Sequence, residues 1–493
     1  MKKVVVIGAG LGGLSASAYL AAAGYDVTVY EASSTYGGKA GNIASEGFRF
    51  DTGPSLLTMP FVLEHLFAAA GRNISDYIKI KPLDVLCKYF YPDGTEVTAY
   101  NDLPRFIDEI SEKTGEPRRN FEKYFAYSKK IYDLTHELFL FKSFREAGTF
   151  FNAKSLKTLL NIFRIDPFRT MHKANAAFFG NKKVVQMFDR YATYNGSDPY
   201  KAPATLNIIQ HVEYALGGYT ADGGIRGIAE GLYKLCRELG VKFEFGKRTE
   251  KILLESRQVK GIIADGKPVK SDIVVTNADV FSSYNKLLDG VHTRGRKRYS
   301  QLEPSSSALV FYWGVKGNNE KLEGHNILFT KDYSAEFNSL FEKREIYADP
   351  TVYIYISSKF NKSDAPEGHE NWFVMINAPH TGGRTSVPDL CRIRENIIGK
   401  IEETTGIKIG ENILTEHVLT PSDIENKTGS TFGSLYGISS NDRYAAFLRQ
   451  DNKCREIEGL YFCGGSAHPG GGIPLVILSG KIASELIKKY EAA

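Results

Sequence analysis

The first thirty-one residues contain a unit that few folds accommodate: an apolar strand, a glycine-rich turn, an apolar helix, a second strand and an acidic residue. Residues 4–7 are three valines and an isoleucine, which is typical of a strand buried in a parallel sheet. Residues 8–13 read Gly-Ala-Gly-Leu-Gly-Gly, and the alanine-rich residues 14–23 form a predicted helix. Residues 27–30 are a second predicted strand, ending at Glu31. This order predicts a dinucleotide site in a Rossmann-like α/β domain.

Each residue type in this turn has a physical reason. Gly8 permits the tight turn, Gly10 lets the backbone approach a pyrophosphate, and Gly13 lets the helix and strand pack closely. The helix offers unpaired N–H groups and a positive dipole end to the phosphates. Glu31 is placed to accept hydrogen bonds from a ribose hydroxyl. We therefore predict cofactor contacts at Gly8, Gly10, Gly12, Gly13 and Glu31.

The same apolar stretch has a competing interpretation. Residues 4–25 carry no charged side chain, which also suits a signal peptide or a membrane span. However, glycines at positions 8, 10, 12, 13 and 24 would leave a lipid-exposed helix poorly formed. We therefore expect this stretch to be part of the nucleotide-binding domain.

The composition of the chain limits the classes of protein to which it can belong. At 493 residues the chain is long enough for two or three domains. A net charge of +5 is too weak to favour nucleic acid as a partner. The five cysteines form no Cys-x-x-Cys pair, which favours a reducing compartment. The histidines show no metal-ligand spacing, so no metal site is expected.

Three further segments carry a resemblance to a known family. Residues 37–39 read Gly-Gly-Lys, and residues 47–55 read Gly-Phe-Arg-Phe-Asp-Thr-Gly-Pro-Ser. Residues 459–474 run from an apolar strand through a glycine-rich turn to Pro474, a favoured first helical residue. The chain resembles, over nearly its whole length, the FAD-dependent carotenoid desaturases, within the wider group of amine oxidases and protoporphyrinogen oxidases. Departures from the family pattern are Lys39, Ser466, Ala467 and Leu475.

The resemblance implies one bound FAD. No second glycine fingerprint follows a strand, so no separate NAD(P)H domain is expected. Where this chain has Lys39 the family usually has Arg, so a bidentate phosphate contact becomes a point charge. The helix after residue 472 would direct its N-terminus at the flavin. The further cofactor contacts implied are Gly37, Gly38, Lys39, Gly53, Pro54, Thr249, Asn277, Gly464, Gly465, Gly470, Gly471, Gly472 and Ile473.

The resemblance also implies a domain arrangement. The FAD-binding domain would be assembled from residues 1–75, 217–280 and 450–493, and a mixed-sheet substrate domain from residues 76–100, 184–216 and 281–449. Residues 101–183 would form a helical cap. Apolar and cationic residues alternate in the cap, which suits a membrane-surface helix or simply an amphipathic cover over the substrate. Both are compatible with a lipid-soluble substrate.

The chemistry implied is hydride transfer from carbon to flavin N5 with loss of a proton from the neighbouring carbon. Glu146, paired with Arg145, is a hypothesis for the proton acceptor, although a solvated carboxylate on a helical lid is an equal alternative. His468 could also act as acid or base, or only shape the flavin site. Tyr191 and Tyr194 could contact a tertiary alcohol of the substrate, or pack in the core.

The functional expectation is an oxidoreductase of carotenoid biosynthesis, because residues 190–205 resemble the hydroxycarotenoid 3,4-desaturases within the family. The expected reaction is 3,4-desaturation of a 1-hydroxycarotenoid, with oxygen or a quinone as electron acceptor. We expect a cytoplasmic enzyme in peripheral contact with the inner face of a membrane. The alternatives are a phytoene or similar isoprenoid desaturase, a flavin-dependent carotenoid isomerase, an amine oxidase, and a non-enzymatic binding protein like the GDP-dissociation inhibitors.

Overall fold

The computed structural model describes residues 1–53, 55–136, 141, 165–383, 389–442 and 449–491. The strands within these ranges, numbered in chain order, are β1 Lys3–Ile7, β2 Asp26–Glu31, β3 Asn42–Ser45, β4 Phe48–Asp51, β5 Leu57–Thr58, β6 Ile80–Pro82, β7 Val85–Phe90, β8 Glu96–Tyr100, β9 Gly218–Ala221, β10 Lys242–Phe245, β11 Thr249–Glu255, β12 Gln258–Ala264, β13 Lys267–Lys270, β14 Ile273–Thr276, β15 Ser307–Lys316, β16 His325–Leu328, β17 Val352–Ile356, β18 His369–Ala378, β19 Ile413–Leu419 and β20 Leu460–Phe462. The α-helices are α1 Leu11–Ala22, α2 Phe61–Ala69, α3 Leu103–Thr114, α4 Arg118–Thr135, α5 Met171–Phe178, α6 Lys182–Asp189, α7 Ile208–Tyr214, α8 Gly224–Glu238, α9 Val280–Ser282, α10 Arg294–Tyr299, α11 Tyr333–Asn338, α12 Leu390–Thr405, α13 Pro421–Thr428 and α14 Ile473–Tyr490.

A parallel sheet with strand order β10-β2-β1-β14-β20 forms the first layer. Strands β1, β2 and β14 are rich in β-branched residues, as expected of a parallel sheet that is covered on both faces. On one face, α1, α8 and α14 pack against alternate side chains such as Val4, Val6 and Val29. On the other face, Val5 and the intervening residues pack against the antiparallel sheet β11-β12-β13. The predicted Rossmann-like α/β fold is therefore confirmed.

A mixed sheet with strand order β19-β15-β18-β17-β16-β7-β8 forms the second body. Its strands are antiparallel to their neighbours except at the parallel pair β16 and β7. Because side chains alternate along each strand, Leu309, Phe311 and Trp313 pack on one face with α12. The opposite face carries Tyr312 and Tyr353, which pack with β4 through its phenylalanines.

Helices α3 to α7 cover the β7 and β8 end of the mixed sheet. Their aromatic side chains, including Phe121, Tyr124 and Phe188, share one core with Tyr89 and Tyr91 of β7 and the loop that follows it. Among the helices that the structure describes, none has the length and apolar character needed to cross a bilayer. The apolar residues 4–25 form β1, the glycine turn and α1.

Two of the predicted domain boundaries fall within or beside packed elements, and the division into domains stays a prediction. The boundary between residues 183 and 184 falls inside α6, which begins after Asn181, whose side chain accepts a hydrogen bond from the Lys183 N–H (2.8 Å). Helices α6 and α7 share their core with α4 and α5. The mixed sheet contains no strand from the described residues 184–216. Residues 280–299 pack on the parallel sheet through Tyr284 and Tyr299.

Candidate functional site

The glycine-rich turn between β1 and α1 is held by close backbone contacts. Gly8 has a φ of +94°, and its N–H donates to the carbonyl of Tyr30 (2.8 Å). A Cβ atom at Gly13 would collide with the Gly8 carbonyl oxygen, so α1 packs against the turn only with glycine there. Gly10 precedes α1 and supplies no side-chain cap. Uncapped amides at the start of a helix form an anion-binding site.

Asn277, the first residue after β14, joins the N-terminal and C-terminal glycine segments. Its Nδ2 donates to the Gly8 carbonyl oxygen (3.4 Å). A Cβ atom on Gly10 would lie 2.9 Å from Asn277 Nδ2, and one on Gly12 would lie 2.8 Å from the Cα of Gly464. Two glycine clusters from opposite ends of the sequence therefore form one backbone-lined surface, which we call the glycine surface.

The C-terminal turn completes the glycine surface. A Cβ atom on Gly465 would lie 3.6 Å from the Cα of Gly471, so the turn folds back on itself. Gly470 and Gly471 lead into Gly472, which precedes α14 with a φ of +102° and no side-chain cap. Helix α14 begins at the buried residue Ile473. A second uncapped helix N-terminus thus lies at the same surface as the first.

The Gly-Gly-Lys segment lies along the N-terminal turn. The Gly37 N–H donates to the Ala9 carbonyl (2.8 Å), and a Cβ atom on Gly38 would lie 3.3 Å from the Cα of Gly10. At Gly53 a Cβ atom would collide with the carbonyl oxygen of Lys39. Four predicted cofactor contacts therefore border the same turn.

Lys39 places its cation beside backbone oxygens. Its Nζ donates to the carbonyls of Leu435 (2.7 Å) and Ser434 (3.4 Å). Burial lowers the pKa of Lys39 to about 8, and the nearby charge of Asp279 opposes this shift. An anion at the glycine surface would favour the charged amine.

Glu31 lies at the end of β2, where an acid is expected for a ribose. Its Oε2 accepts from the Ala9 N–H (2.6 Å) and its Oε1 from the Ser33 N–H (2.8 Å). Each carboxylate oxygen has a further acceptor position for a hydroxyl. The Lys247 N–H donates to the Glu31 carbonyl (2.9 Å), which brings Thr249 close. The Thr249 hydroxyl is buried with no hydrogen-bond partner among the described residues.

These residues fit an FAD. Glycines stand where side chains would fill the surface, the uncapped N-terminus of α1 suits the phosphates, that of α14 suits the flavin, and Glu31 suits a ribose. The unpartnered hydroxyl of Thr249 is a buried polar group that requires a partner. The structure brings all the described cofactor residues together, and the contact of each with FAD stays a prediction.

His468 is buried in the C-terminal turn, and its backbone is fixed by hydrogen bonds. Its N–H donates to the Gln450 carbonyl (2.9 Å). Its carbonyl accepts from Asn452 Nδ2 (2.9 Å) and Ser479 Oγ (2.7 Å). This network shapes the glycine-rich turn, and an acid or base role for the ring stays a prediction.

Tyr191 and Tyr194 lie in the interior between α6 and α7, and both hydroxyls donate to Glu213. The distances are 2.6 Å from Tyr191 to Oε1 and 2.5 Å from Tyr194 to Oε2. Arg190 Nη2 also contacts Glu213 Oε1 (3.2 Å). The roles of Glu213 and Arg190 are not predicted from the sequence, because no local sequence pattern indicates an ion pair between two helical segments.

Asp51 is a third residue whose role is not predicted from the sequence. It accepts hydrogen bonds from the Ile225 N–H (3.3 Å) at the start of α8 and from Arg49 Nη2 (2.8 Å). Burial raises the pKa of Asp51, and the Arg49 charge opposes this. Arg49 also pairs with Asp364 of the second body (3.2 Å). The sequence signal that points to Asp51 is its position within residues 47–55, a segment that carries the family resemblance.

Three predicted residues cannot be placed. Pro54, Arg145 and Glu146 lie outside the described residues. Among the described residues, no group of three or more His, Cys, Asp or Glu side chains could hold a metal ion.

Two relatives match this chain over essentially its full length. The chain is 42% identical over 492 residues to the 1-hydroxycarotenoid 3,4-desaturase of Flavobacterium sp. (strain P99-3), covering 100% of both chains. It is 33% identical to the 4,4'-diaponeurosporene oxygenase of Staphylococcus aureus (strain bovine RF122 / ET3-1), covering 100% of this chain and 99% of the relative.

Solved structures share the fold at low identity. A triple mutant of putrescine oxidase superposes with a TM-score of 0.67 at 13% identity, covering 99% of each chain. An oxidoreductase from Methanosarcina mazei superposes with a TM-score of 0.64 at 17% identity, covering 98% of this chain and 100% of the other. Residues 11–488 match the family described as flavin containing amine oxidoreductase. The chain therefore belongs to the flavin containing amine oxidoreductases and is an FAD-dependent oxidoreductase.

Proposed function

We propose that this enzyme introduces a carbon–carbon double bond at one end of an acyclic carotenoid, by 3,4-desaturation of a 1-hydroxycarotenoid. The observation that carries the proposal is the 42% identity to a 1-hydroxycarotenoid 3,4-desaturase over the full length of both chains. The glycine surface supports it, because such a surface suits the cofactor that this reaction requires.

The inner face of the mixed sheet supports an apolar substrate. Tyr353 of β17 and Met375 of β18 are paired in register on this face, and both are only partly buried. The Tyr353 hydroxyl contacts Ser55 Oγ (2.5 Å), two residues beyond Gly53. Leu435 is also partly buried against this core, and its carbonyl oxygen accepts a hydrogen bond from Lys39 Nζ. An apolar surface thus borders the glycine surface, as a polyene substrate requires.

Desaturation removes a hydrogen from each of two neighbouring carbons, one with its electron pair and one as a proton. FAD held at the glycine surface would supply the hydride acceptor. The residues of the chain must hold the polyene, exclude water and receive the proton. Because the polyene stabilises positive charge at the allylic carbon, a strong base is not required. Glu146 with Arg145 remains our candidate for the proton acceptor, and His468 the alternative.

We also propose that the enzyme is cytoplasmic and contacts the inner face of a membrane at its helical cap, residues 101–183. An apolar carotenoid resides in lipid and must enter from there, which supports this location. The alternation of apolar and cationic side chains in the cap sequence supports it further. Oxygen or a quinone would reoxidise the flavin.

Product analysis tests the proposed reaction. The purified flavin-loaded enzyme is incubated separately with phytoene, γ-carotene and a 1-hydroxycarotenoid. The products are separated by chromatography, and their masses are measured by mass spectrometry. We expect the 1-hydroxycarotenoid to lose two hydrogens. Conversion of phytoene alone would overturn the substrate, and a product of unchanged mass would indicate an isomerase.

A second candidate is oxidation of a carotenoid end group. It is favoured by the 33% identity to a 4,4'-diaponeurosporene oxygenase over essentially the full length of both chains. The same assay separates the two reactions, since an oxygenase adds oxygen to the substrate whereas a desaturase only removes hydrogen.

A further inference from the structure

The core under the helical cap contains a buried ion pair that no catalytic step described above uses. The side chains of Arg190 and Glu213 are only 7% and 2% exposed. Arg190 Nε donates to the Tyr89 hydroxyl (3.0 Å), and its Nη2 contacts the Tyr191 hydroxyl (3.0 Å). With Tyr194 these residues form what we call the tyrosine cluster: Tyr89, Arg190, Tyr191, Tyr194 and Glu213.

Burying an ion pair usually adds little net stability, because both charges lose their hydration. This pair is held by several hydrogen bonds, and the Arg190 guanidinium carbon lies 4.1 Å from the centre of the Tyr191 ring. Such an arrangement fixes side-chain orientation. The tyrosine cluster is therefore suited to positioning a polar group inside an otherwise aromatic core.

Glu213 sets the direction of the hydrogen bonds in the tyrosine cluster. A carboxylate only accepts hydrogen bonds, so the hydroxyls of Tyr191 and Tyr194 both donate to Glu213. The Tyr191 oxygen also accepts from Arg190. A phenol oxygen held as a donor still presents lone-pair capacity to a further donor. A hydroxyl group can supply that donor, and a hydrocarbon cannot.

Exposure separates the two tyrosines. Tyr191 is 0% exposed, whereas Tyr194 is only partly buried within the same core. Of the two tyrosines, Tyr194 is the one that retains exposed surface. Tyr191 and Arg190 lie behind it and hold Glu213 in place.

The tyrosine cluster lies near the apolar substrate surface. Tyr89 of β7 is in register with Ile327 of β16, which is in register with Tyr353 of β17. Residues opposite one another across neighbouring strands share a face, and two strand spacings amount to roughly 10 Å. Tyr353 contacts Ser55 beside the glycine surface. A chain end at the tyrosine cluster therefore leaves its first carbons close to that surface.

We propose that Tyr194, positioned by Glu213 and Arg190, receives the hydroxyl at the end of the carotenoid substrate and makes the enzyme select hydroxylated over hydrocarbon ends. This inference rests on the proposed function. A hydrocarbon end would leave the buried cluster without its added partner, which a site built for a hydroxyl penalises.

The test compares two substrates that differ only in the terminal hydroxyl, a 1-hydroxycarotenoid and its deoxy counterpart. The ratio of their kcat/KM values is measured on flavin-loaded wild type and Tyr194→Phe. We expect the ratio to fall by about tenfold in Tyr194→Phe, the size of one hydrogen bond of about 1.4 kcal/mol. The value for the deoxy substrate should change little. An unchanged ratio in Tyr194→Phe would overturn the inference.

Tyr124→Phe is the matched control. Tyr124 is buried in the same core, and its hydroxyl donates to Asn175 Oδ1 (3.1 Å). This variant also loses one buried hydrogen bond, so a retained ratio shows that the loss in Tyr194→Phe is not a general packing effect. A ratio that falls equally in Tyr124→Phe contradicts the inference.

Glu213→Gln gives an independent check. An amide donates as well as accepts, so it disturbs the direction of the hydrogen bonds that Glu213 fixes. We expect the substrate ratio to fall in this variant too, and where it fails to bind FAD the Tyr194→Phe ratio decides. A wild-type enzyme with no preference for the hydroxylated substrate would instead contradict the proposed function.

Discussion

His172 and Asp189 show how a single contact makes stability depend on pH. His172 Nδ1 lies 2.6 Å from Asp189 Oδ2, and Asn175 Nδ2 donates to Asp189 Oδ1 (2.8 Å). The hydrogen bond to Asp189, with the charges of Asp189 and Asp198, holds the pKa of His172 above its ordinary value of about 6.5, and partial burial opposes this. The folded state therefore favours the protonated ring.

We predict that this contact stabilises the protein most at acidic pH. Because the pKa of His172 is raised in the folded state, its contribution is complete below pH 6.5 or so and is lost as the pH rises through the raised pKa. His172→Gln should therefore reduce the free energy of unfolding more at pH 6 than at pH 9. Denaturant unfolding across this range checks it.

His292→Gln is the control for that series, because His292 is exposed on the surface. Its unfolding curve should follow wild type at every pH. A stability difference between wild type and His172→Gln that grows with pH would contradict the assigned direction of the shift.

The sequence predicts some residues of the site and not others for a physical reason. Gly8, Gly13 and Glu31 belong to one local unit whose spacing is dictated by the turn itself, so their roles can be predicted. Glu213 is paired with Tyr191 from another helical segment, and only the packed core brings them together. Polar partners across elements therefore require the structure.

At the scale of elements, α1 and α14 pack with backbone close to backbone at Gly480. A Cβ atom on Gly480 of α14 would lie 2.6 Å from the Ala16 nitrogen and 2.7 Å from the Gly12 carbonyl oxygen. Both neighbours are backbone atoms of α1, which cannot move without disturbing the turn that precedes them. The close approach thus connects the C-terminal helix to the glycine surface.

We predict that Gly480→Ala destabilises the protein and weakens FAD binding. Overpacking against backbone costs about 1–3 kcal/mol, which exceeds the 0.5–1 kcal/mol or so that alanine gains over glycine in a helix. Thermal unfolding and the flavin-to-protein absorbance ratio measure both effects.

Gly399→Ala provides the opposite expectation for the same substitution. Gly399 lies within α12, and no atom lies within 4 Å of an added Cβ. Here the helix gain stands alone, so this variant should be as stable as wild type or more so. A Gly480→Ala protein that matches Gly399→Ala in stability would show that the two helices separate at little cost.

Element boundaries follow the same division between local and distant causes. Residues 4–7 and 27–30 are predicted as strands and lie within β1 and β2, because β-branched runs bounded by glycine leave little choice. The predicted boundary at residue 183 falls inside α6, which runs from Lys182 to Asp189. Which helices join the cap depends on the shared aromatic core.

At the scale of the whole molecule, the cofactor surface is assembled from three distant parts of the chain. They are residues 8–53, residues 246–277, and the turn before α14. Each part alone exposes backbone amides or an unpartnered hydroxyl. A ligand that contacts all three makes their folding mutually dependent.

We therefore predict that FAD protects all three parts together. At free FAD one hundredfold above its Kd, a ligand that binds only the folded state adds about 2.7 kcal/mol, which slows amide exchange through global opening roughly a hundredfold. Hydrogen exchange of apoprotein and holoprotein should show added protection at residues 8–13, 246–249 and 464–473. Residues 390–405, on the far face of the mixed sheet, report openings that do not involve the cofactor and should gain less. Protection confined to residues 8–13 would mean that the N-terminal turn binds the nucleotide alone, and that the C-terminal glycines serve only the packing of α14 on α1.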